Sequence, residues 1–319
     1  MQSVSDLLEQ KKFFKLVCGA GNEDTESVKR LVYVYAKAGC KVFDLSARPE
    51  ILDAAKEGAE RANADCLHYC ISIGIKGDSH ISKAKVIFSN CIQCGTCARI
   101  CPNDAIYPPN IIDEKKCIGC GTCKKKCPAQ AITTYEKDID TKNILPELVQ
   151  NGAEILELHI MGHDKRDLEN KWEIINKVNP ALASICIDRE NFGNKEVLSR
   201  ITEMIKVRKP YTTIIQADGI PMSGSEDDYK TTLQAVAMAE IIQNAKLPVY
   251  LTVSGGTNSK TMELCRLCNI SPHGIAIGSW ARKTVKRYIT LQDFWNNAEA
   301  QNNAILTAKN LISSSHLIT

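Results

Sequence analysis

Two hydrophobic rhythms alternate along the chain. Short apolar runs rich in Val, Ile and Leu are followed by longer stretches in which apolar residues recur every three or four positions. The first rhythm is typical of buried β-strands and the second of amphipathic helices, so the pattern indicates repeated βα units. We predict eight strands: FFKLVCG (13–19), KVFDLSA (41–47), CLHYCISIG (66–74), EILELHI (154–160), LASICIDR (182–189), YTTIIQAD (211–218), PVYLTVSGG (248–256) and GIAIGSW (274–280).

The segment between the third and fourth predicted strands interrupts this rhythm. Without about 58 residues of this segment, about 261 residues remain, close to the size of a (β/α)8 TIM barrel. The sequence therefore predicts an α/β protein in which a barrel, residues 1–78 and 138–319, carries an insert at 79–137 after strand three. An open, doubly wound parallel sheet is the alternative. The loops after barrel strands line the functional face, so we expect the insert beside the barrel mouth.

Composition narrows the classes of function. The chain has 319 residues, of which 44% are hydrophobic and 24% charged, and its net charge is +3. This charge does not favour a surface that binds nucleic acid. No apolar stretch approaches the ~20 residues of a membrane span, and the N-terminus has no apolar signal region. We expect a cytoplasmic protein whose 15 cysteines serve metal ligation or redox chemistry rather than disulfides.

Eight of these cysteines form two copies of the pattern C-x2-C-x2-C-x3-C-P, in CIQCGTCARICP and CIGCGTCKKKCP. In bacterial ferredoxins with this spacing, three neighbouring thiolates bind one cluster and the fourth binds the other. A zinc site or a disulfide knot is the alternative, although zinc sites rarely need four cysteines twice. We predict two [4Fe-4S] clusters, with Cys91, Cys94, Cys97 and Cys127 as ligands of the first, and Cys117, Cys120, Cys123 and Cys101 as ligands of the second.

Polar side chains close most of the predicted strands. They are Cys18, Asp44 with Ser46, Glu157 with His159, Asp188, Gln216 with Asp218, Ser254 and Ser279. Loops after strands seven and eight are the usual phosphate site of TIM barrels, because glycines let backbone N–H groups approach an anion. We predict a phosphorylated ligand there, with flavin mononucleotide (FMN) as the candidate and tight turns as the plain structural alternative. The predicted binding residues are Gly255, Gly256, Thr257, Gly278 and Ser279, with added charge from Arg282 and Lys283.

A third glycine-bearing loop, ADGIPMSG (217–224), follows strand six and supports a site at the same end. Two histidines near strand four, His159 and His163, have a spacing that suits metal ligation or acid–base chemistry, but a hydrogen-bonded loop pair is the preferred interpretation. Glu157 and Asp188 are candidate general bases, or else partners of Lys or Arg from other strands.

The cysteines outside the two motifs also have two interpretations. Cys18 at the predicted mouth could contact a ligand, whereas Cys70 is predicted as a buried thiol. Cys265 and Cys268 form C-x2-C on one predicted helix face, but two thiolates cannot enclose a metal ion alone. Three cysteines among apolar residues are predicted as small core side chains: Cys40, Cys66 and Cys186.

The chain resembles the light-dependent period (LdpA) family, iron-sulfur proteins of cyanobacteria that report redox state to the circadian clock. The matching segments are FKLVCGAGNED (14–24), VYAKAGCKVFDLSARPEIL (34–52), the two cysteine motifs and VSGGTN (253–258). The resemblance covers most of the chain. It implies a redox-active iron-sulfur protein rather than a timekeeper.

Three functions are compatible with this sequence. The first is electron transfer or redox sensing by the clusters, with a barrel that binds a ligand or partner. The second is a flavin-dependent oxidoreductase in which the clusters feed electrons to FMN in the barrel. The third is an adaptor that has lost catalysis. For the first two we expect a redox partner such as a ferredoxin or flavodoxin, docked at a basic patch near the second motif, which comprises Lys115, Lys116, Lys124, Lys125 and Lys126.

Overall fold

Twelve β-strands lie within residues 2–19, 21–78, 81–137, 139–188, 192–219 and 226–315, which the computed structural model describes. Their bounds are β1 Phe13–Val17, β2 Val42–Ser46, β3 His68–Gly74, β4 Ser82–Val86, β5 Ile106–Tyr107, β6 Ile111–Ile112, β7 Ile132–Glu136, β8 Ala153–His159, β9 Leu182–Ile187, β10 Thr213–Asp218, β11 Tyr250–Ser254 and β12 Gly274–Ile277.

Eight of these strands close into a parallel barrel in the order β1-β2-β3-β8-β9-β10-β11-β12. Closure is made by β1 and β12, where Phe13 lies opposite Gly274 and Leu16 opposite Ile277. An open sheet has two unpaired edges, so this pairing excludes the doubly wound alternative. The (β/α)8 prediction is confirmed, and each of the eight predicted strands overlaps one barrel strand.

Most of the helices connect the barrel strands and cover their outer surface. Their bounds are α1 Val4–Glu9, α2 Thr25–Lys37, α3 Pro49–Arg61, α4 Thr96–Ile100, α5 Thr122–Lys126, α6 Thr141–Gln150, α7 Lys165–Val178, α8 Asn194–Ile205, α9 Tyr229–Asn244, α10 Thr261–Leu267, α11 Ser279–Ile289 and α12 Ala298–Ser314. Three of the longer helices begin at an aspartate that caps a free backbone N–H, as where Asp24 Oδ1 accepts from Ser27 N (3.1 Å). The amphipathic pattern buries one face of each against the barrel.

The insert lies between β3 and β8, as predicted. Its first and last strands, β4 and β7, form an antiparallel pair in which Ser82 lies opposite Glu136 and Val86 opposite Ile132. Between them stand the short hairpin of β5 and β6 and the two short helices α4 and α5. A small separate core fills the insert, with Ala84, Ile106 and Ile132 packed around cysteine side chains. The paired ends explain how a second domain can interrupt the barrel without separating β3 from β8.

The barrel interior is layered along its axis. At the end where the strands begin, an apolar layer contains Phe13, Val42, Ile155, Leu182, Ile214 and Tyr250. Helix α1 closes this end, since Val4, Leu7 and Leu8 are buried against the same layer. Two residues farther along these strands the inward positions are polar, which departs from the branched apolar side chains usual in such barrels. The charged residues in this next layer are fully buried.

Candidate functional site

The eight cysteines of the two motifs lie in the insert in two groups. Each motif places a glycine with positive φ before a short helix, Gly95 (φ +69°) before α4 and Gly121 (φ +68°) before α5. Cys101 and Cys127 follow the ends of these helices. One cavity is lined by Cys91, Cys94, Cys97 and Cys127. The other is lined by Cys101, Cys117, Cys120 and Cys123. Each cavity thus combines three thiols of one motif with the last thiol of the other.

The surroundings of these thiols suit iron-sulfur clusters. Backbone N–H groups of Ala105 and Ala131 donate to the sulfurs of Cys101 and Cys127, at 3.3 Å in both cases. The side-chain amide of Asn110, which is buried, donates to Cys91 Sγ (3.3 Å). Donors directed at sulfur stabilise the negative charge of thiolate and cluster. A disulfide knot would leave these donors facing neutral sulfur, so the donor pattern fits the clusters better.

The insert is attached to the barrel through the buried side chain of Lys83 on β4. Its ammonium group donates to three main-chain oxygens, those of Gly21 (2.7 Å), Cys117 (2.8 Å) and Glu114 (2.9 Å). Burial lowers the pKa of Lys83, and the Glu23 carboxylate 3.7 Å away partly offsets this effect. One lysine therefore joins the loop after β1 to the loop that carries the second cysteine group.

Ile118, between Cys117 and Cys120, connects that cysteine group with the barrel. Its backbone packs on Gly21, where an added Cβ would fall 3.2 Å from Ile118 Cα. Ile118 lines a cavity of about 70 Å³ at the barrel mouth, and also a groove of about 910 Å³ between barrel and insert. The second cysteine group therefore faces the barrel, whereas Cys94 of the first group is exposed. The insert lies beside the mouth, as expected from its position after strand three.

A network of buried charges crosses the barrel interior. Lys15 on β1 lies 2.6 Å from Glu157 Oε2 and 3.6 Å from Asp44 Oδ2. Burial acts to raise the pKa of Glu157, but the Lys15 ammonium and His159 outweigh it, so the pKa lies well below its usual range. Burial raises the pKa of Asp44, with Lys15 acting in the opposite direction. The interpretation of Glu157 as the partner of a lysine on another strand is confirmed.

Several side chains of this network contact the carboxylate of Glu157. Ser184 Oγ donates to its Oε2 (2.6 Å), and Gln216 Nε2 donates to its Oε1 (3.0 Å). His159 Nε2 lies 3.2 Å from the same Oε1. Burial alone would lower the pKa of His159, but its contact with Glu157 raises it to about 9.

The barrel-mouth cavity brings together the residues predicted for a phosphorylated ligand. All five line it: Gly255, Gly256, Thr257, Gly278 and Ser279. Asp44, His159, Gln216, Asp218 and Ser254 from the predicted strand ends line the same cavity, and so does Arg282. The guanidinium of Arg282 donates to Val17 O (2.6 Å) and lies at the junction of the cavity with the groove. Six of the polar side chains predicted at strand ends thus line one cavity.

Other predicted residues lie elsewhere. His163 is exposed and makes an edge contact with Phe192, so it does not join His159. Cys66 is exposed, and its prediction as a core side chain is wrong, because it lies in the turn before β3 rather than within the strand. Cys265 is buried while Cys268 is exposed, so the pair does not share one face. Residues 220–224 of the ADGIPMSG loop are outside the described part of the chain.

The sequence patterns did not predict the contacts of two buried side chains in the barrel interior, Lys15 and Cys186. Lys15 was not considered, although a lysine within the apolar run FFKLV is unusual for a buried strand. Cys186 was predicted as a core side chain, and it is buried. However, its sulfur lies 3.1 Å from Asp218 Oδ2 and accepts from Gln216 Nε2 at 3.2 Å. The available signal was the alternation of polar and apolar residues in SICID and TIIQAD.

The fold and the thiol-lined insert define a class, that of TIM-barrel proteins with a ferredoxin-type iron-sulfur domain. The 4Fe-4S binding domain family matches residues 84–107 and 110–133, and the family described as the Light dependent period A C-terminal domain matches residues 147–318. The chain belongs to the Light dependent period A family. It is 29% identical to Light dependent period A of Synechococcus elongatus over 292 residues, which is 87% of this chain and 82% of the relative.

Two solved structures show a weak overall similarity to this chain. Tryptophan synthase from M. tuberculosis covers 98% of this chain and 98% of its own, with a TM-score of 0.49 and 8% identity. A truncated 3-deoxy-D-arabino-heptulosonate 7-phosphate synthase from Thermotoga maritima covers 92% of this chain and 84% of its own, with a TM-score of 0.46 and 12% identity. Because both TM-scores are below 0.5, the fold is assigned from the strand pairing of this chain alone. None of its described helices is long and apolar enough to cross a membrane.

Proposed function

We propose that this iron-sulfur protein carries two [4Fe-4S] clusters and acts in electron transfer or redox sensing, delivering or reporting electrons at the barrel mouth. The ligands would be Cys91, Cys94, Cys97 and Cys127 for one cluster, and Cys101, Cys117, Cys120 and Cys123 for the other. The observation that carries the proposal is the position of Ile118. This residue lies between two cysteines of the second group and also lines the barrel-mouth cavity. Such clusters supply one-electron chemistry over a wide range of potentials.

The two cysteine groups have different exposures, which supports different roles. The first group borders the exposed apolar side chains of Phe88 and Ile92, which are 63% and 66% exposed. The second group borders the barrel, where Lys83 fixes the main chain at Cys117. Exposed apolar side chains beside a redox group favour transient docking of a protein partner. We therefore call the first group (Cys91, Cys94, Cys97 and Cys127) the outer group and assign it to partner contact. We call the second group (Cys101, Cys117, Cys120 and Cys123) the inner group and assign it to the barrel mouth.

The charge of the insert indicates the partner. Residues 81–137 contain nine Lys and Arg against four Asp and Glu, a net charge of +5. Three of the lysines, Lys124 to Lys126, are exposed on α5 and immediately precede Cys127 of the outer group. Opposite charge raises the rate of encounter between proteins, above all at low salt. The proposed partner is therefore a small acidic electron carrier such as a ferredoxin or a flavodoxin.

This proposal is tested by mixing the oxidised protein anaerobically with a reduced flavodoxin and following the bleaching of cluster absorbance. We expect reduction whose second-order rate falls with salt. The triple variant Lys124→Glu, Lys125→Glu, Lys126→Glu should be reduced at least 10-fold more slowly at low ionic strength. The matched control reverses three exposed lysines of the barrel helices, Lys165, Lys177 and Lys206. Equal rates for both triple variants would reject docking at α5.

A flavin-dependent oxidoreductase is the second candidate, and one observation favours it. The barrel-mouth cavity alone is too small for an isoalloxazine ring, because cofactor pockets typically measure about 300–1,000 Å³. The groove of about 910 Å³ has that size, and it shares Ser279 and Arg282 with the cavity. The predicted glycine loops would then hold the phosphate group, and Arg282 would neutralise part of its charge.

Flavin content separates the two candidates. Protein purified anaerobically is denatured in acid, and the released flavin is measured by fluorescence, with iron and sulfide counted in the same sample. About one flavin and eight irons per chain would favour the oxidoreductase. Eight irons without flavin would favour the relay or sensor. Ser279→Glu, which adds a like charge beside the proposed phosphate and leaves both glycines in place, should remove a bound phosphorylated ligand and keep the iron content unchanged.

A further inference from the structure

We propose that the barrel interior holds a mononuclear zinc ion, bound by Glu157, His159 and Cys186 with one position left for a fourth oxygen donor, at a site separate from the iron-sulfur cysteines. The proposal concerns the barrel alone and does not depend on the function assigned to the clusters. It starts from three buried side chains, Glu157, His159 and Cys186, whose ligand atoms all lie within 4.8 Å of one another. A carboxylate oxygen, an imidazole nitrogen and a thiolate are the three donor types that zinc accepts.

The strand pairing explains why these side chains converge. Glu157 and His159 are two residues apart on β8, so both point into the barrel. Cys186 on β9 is paired with His159, and Gln216 on β10 is paired with Cys186. His159 and Cys186 therefore lie at one level on neighbouring strands, with Gln216 beside them on β10. The carboxylate of Glu157 comes from the preceding layer of β8, and its ligand atom lies within 4.8 Å of those of His159 and Cys186.

The distances lie close to those around one zinc ion. Two ligands of the same tetrahedral zinc ion lie about 3.4 Å apart when both bonds are about 2.1 Å. Glu157 Oε1 and His159 Nε2 are 3.2 Å apart. The ligand atom of Cys186 lies within 4.8 Å of both, so side-chain rotations would bring it to bonding distance of the same ion.

The other oxygen of Glu157 is already held in place. Lys15 and Ser184 both contact Oε2, at 2.6 Å, which leaves Oε1 directed toward His159. Hydrogen bonds of this kind to a ligating carboxylate are a regular part of zinc sites. A Zn²⁺ ion and the Lys15 ammonium would together offset most of the negative charge of the three buried carboxylates and the Cys186 thiolate. This lowers the free-energy cost of placing these charges in the interior.

Gln216 supplies an independent observation. Its Nε2 bridges Glu157 Oε1 and Cys186 Sγ, while its buried Oε1 accepts no hydrogen bond from the described residues. A buried amide oxygen without a donor is energetically unfavourable. Half a turn of the amide about its last bond would direct Oε1 to the centre of the cluster as an additional oxygen donor. His159, Gln216 and Asp218 also line the barrel-mouth cavity, so an ion held here would be accessible from it.

The test uses untagged, full-length protein purified anaerobically with its clusters. Elemental analysis should give about one zinc per chain in addition to iron. X-ray absorption at the zinc edge should show one sulfur at about 2.3 Å and nitrogen or oxygen ligands at about 2.0–2.2 Å. The absence of zinc would overturn the proposal. A shell of four sulfurs would also overturn it, because that result means zinc bound at the ferredoxin cysteines.

Two variants then locate the ion. Cys186→Ser should remove the sulfur shell and lower the zinc content at least 10-fold while leaving iron and cluster absorbance unchanged. His159→Gln should lower zinc in the same way, which provides a second variant if the first fails to fold. The matched control is Cys40→Ser, since Cys40 is an equally buried thiol bonded to Val42 O. Full zinc and an intact sulfur shell in folded Cys186→Ser would place the ion elsewhere.

Discussion

The carboxylate of Asp218 occupies the space in which a side chain at position 255 would begin. A Cβ added to Gly255 would lie 1.6 Å from Asp218 Oδ1 and 2.4 Å from Gly219 N. The glycine at the start of the loop after β11 is therefore required by a buried acid on the neighbouring strand. A phosphorylated ligand is not needed to explain it, although the same loop lines the cavity predicted for that ligand.

We predict that Gly255→Ala destabilises the barrel strongly. Two effects add, a positive φ of +68° that costs about 1–2 kcal/mol for a residue with a Cβ and the displacement of Asp218. Gly152→Ala is the matched control, because Gly152 has φ +96° but no atom within 4 Å of the added Cβ. The thermal unfolding midpoint should fall several degrees further for Gly255→Ala. Equal midpoints would mean that Asp218 moves aside without cost.

The cluster assignment predicts the iron content of single cysteine variants. Cys94→Ser removes one ligand of the outer group only, so iron should fall from about eight to about four per chain. The remaining cluster should keep its absorbance. Cys66→Ser, which removes an exposed cysteine outside the insert, should keep all the iron. Full iron retention in Cys94→Ser would contradict the assignment.

Lys15→Met should destabilise the protein by about 3–5 kcal/mol, because it leaves Glu157 and Asp44 buried without their cation. The double variant Lys15→Met, Glu157→Gln should recover part of this loss, since it removes the uncompensated carboxylate. Chemical unfolding followed by circular dichroism measures both. If the double variant were no more stable than the single one, the Lys15–Glu157 contact would not be the source of the effect.

Lys83→Met should loosen the insert without unfolding the barrel. Three main-chain oxygens, those of Gly21, Glu114 and Cys117, would lose a buried donor. Unsatisfied buried acceptors cost about 1–3 kcal/mol each, so the loop carrying Cys117 should open more often. Limited proteolysis should cleave the insert at least 10-fold faster. Lys85→Met, on the same strand but exposed, serves as control, and equal cleavage of the two variants would show that Lys83 does not fasten the insert.

The sequence by itself determined the elements and the presence of an iron-sulfur domain. Strand runs such as FFKLV and helix periodicity such as TESVKRLVYVYAK are local patterns, and the C-x2-C-x2-C-x3-C-P spacing is local as well. Helix α1, which closes the bottom of the barrel, has only six residues and was not predicted, because so short a segment carries little periodic signal.

The tertiary structure decided which side chains meet. Lys15 and Glu157 are 142 positions apart, and no local pattern pairs them. Cys186 resembles a core side chain in sequence, and only the register of β9 with β10 places Gln216 and Asp218 beside it. The contact of Ile118 with the barrel mouth likewise depends on how the insert docks. Sequence periodicity fixes the face of a strand on which a residue lies, whereas barrel closure fixes what stands opposite that face.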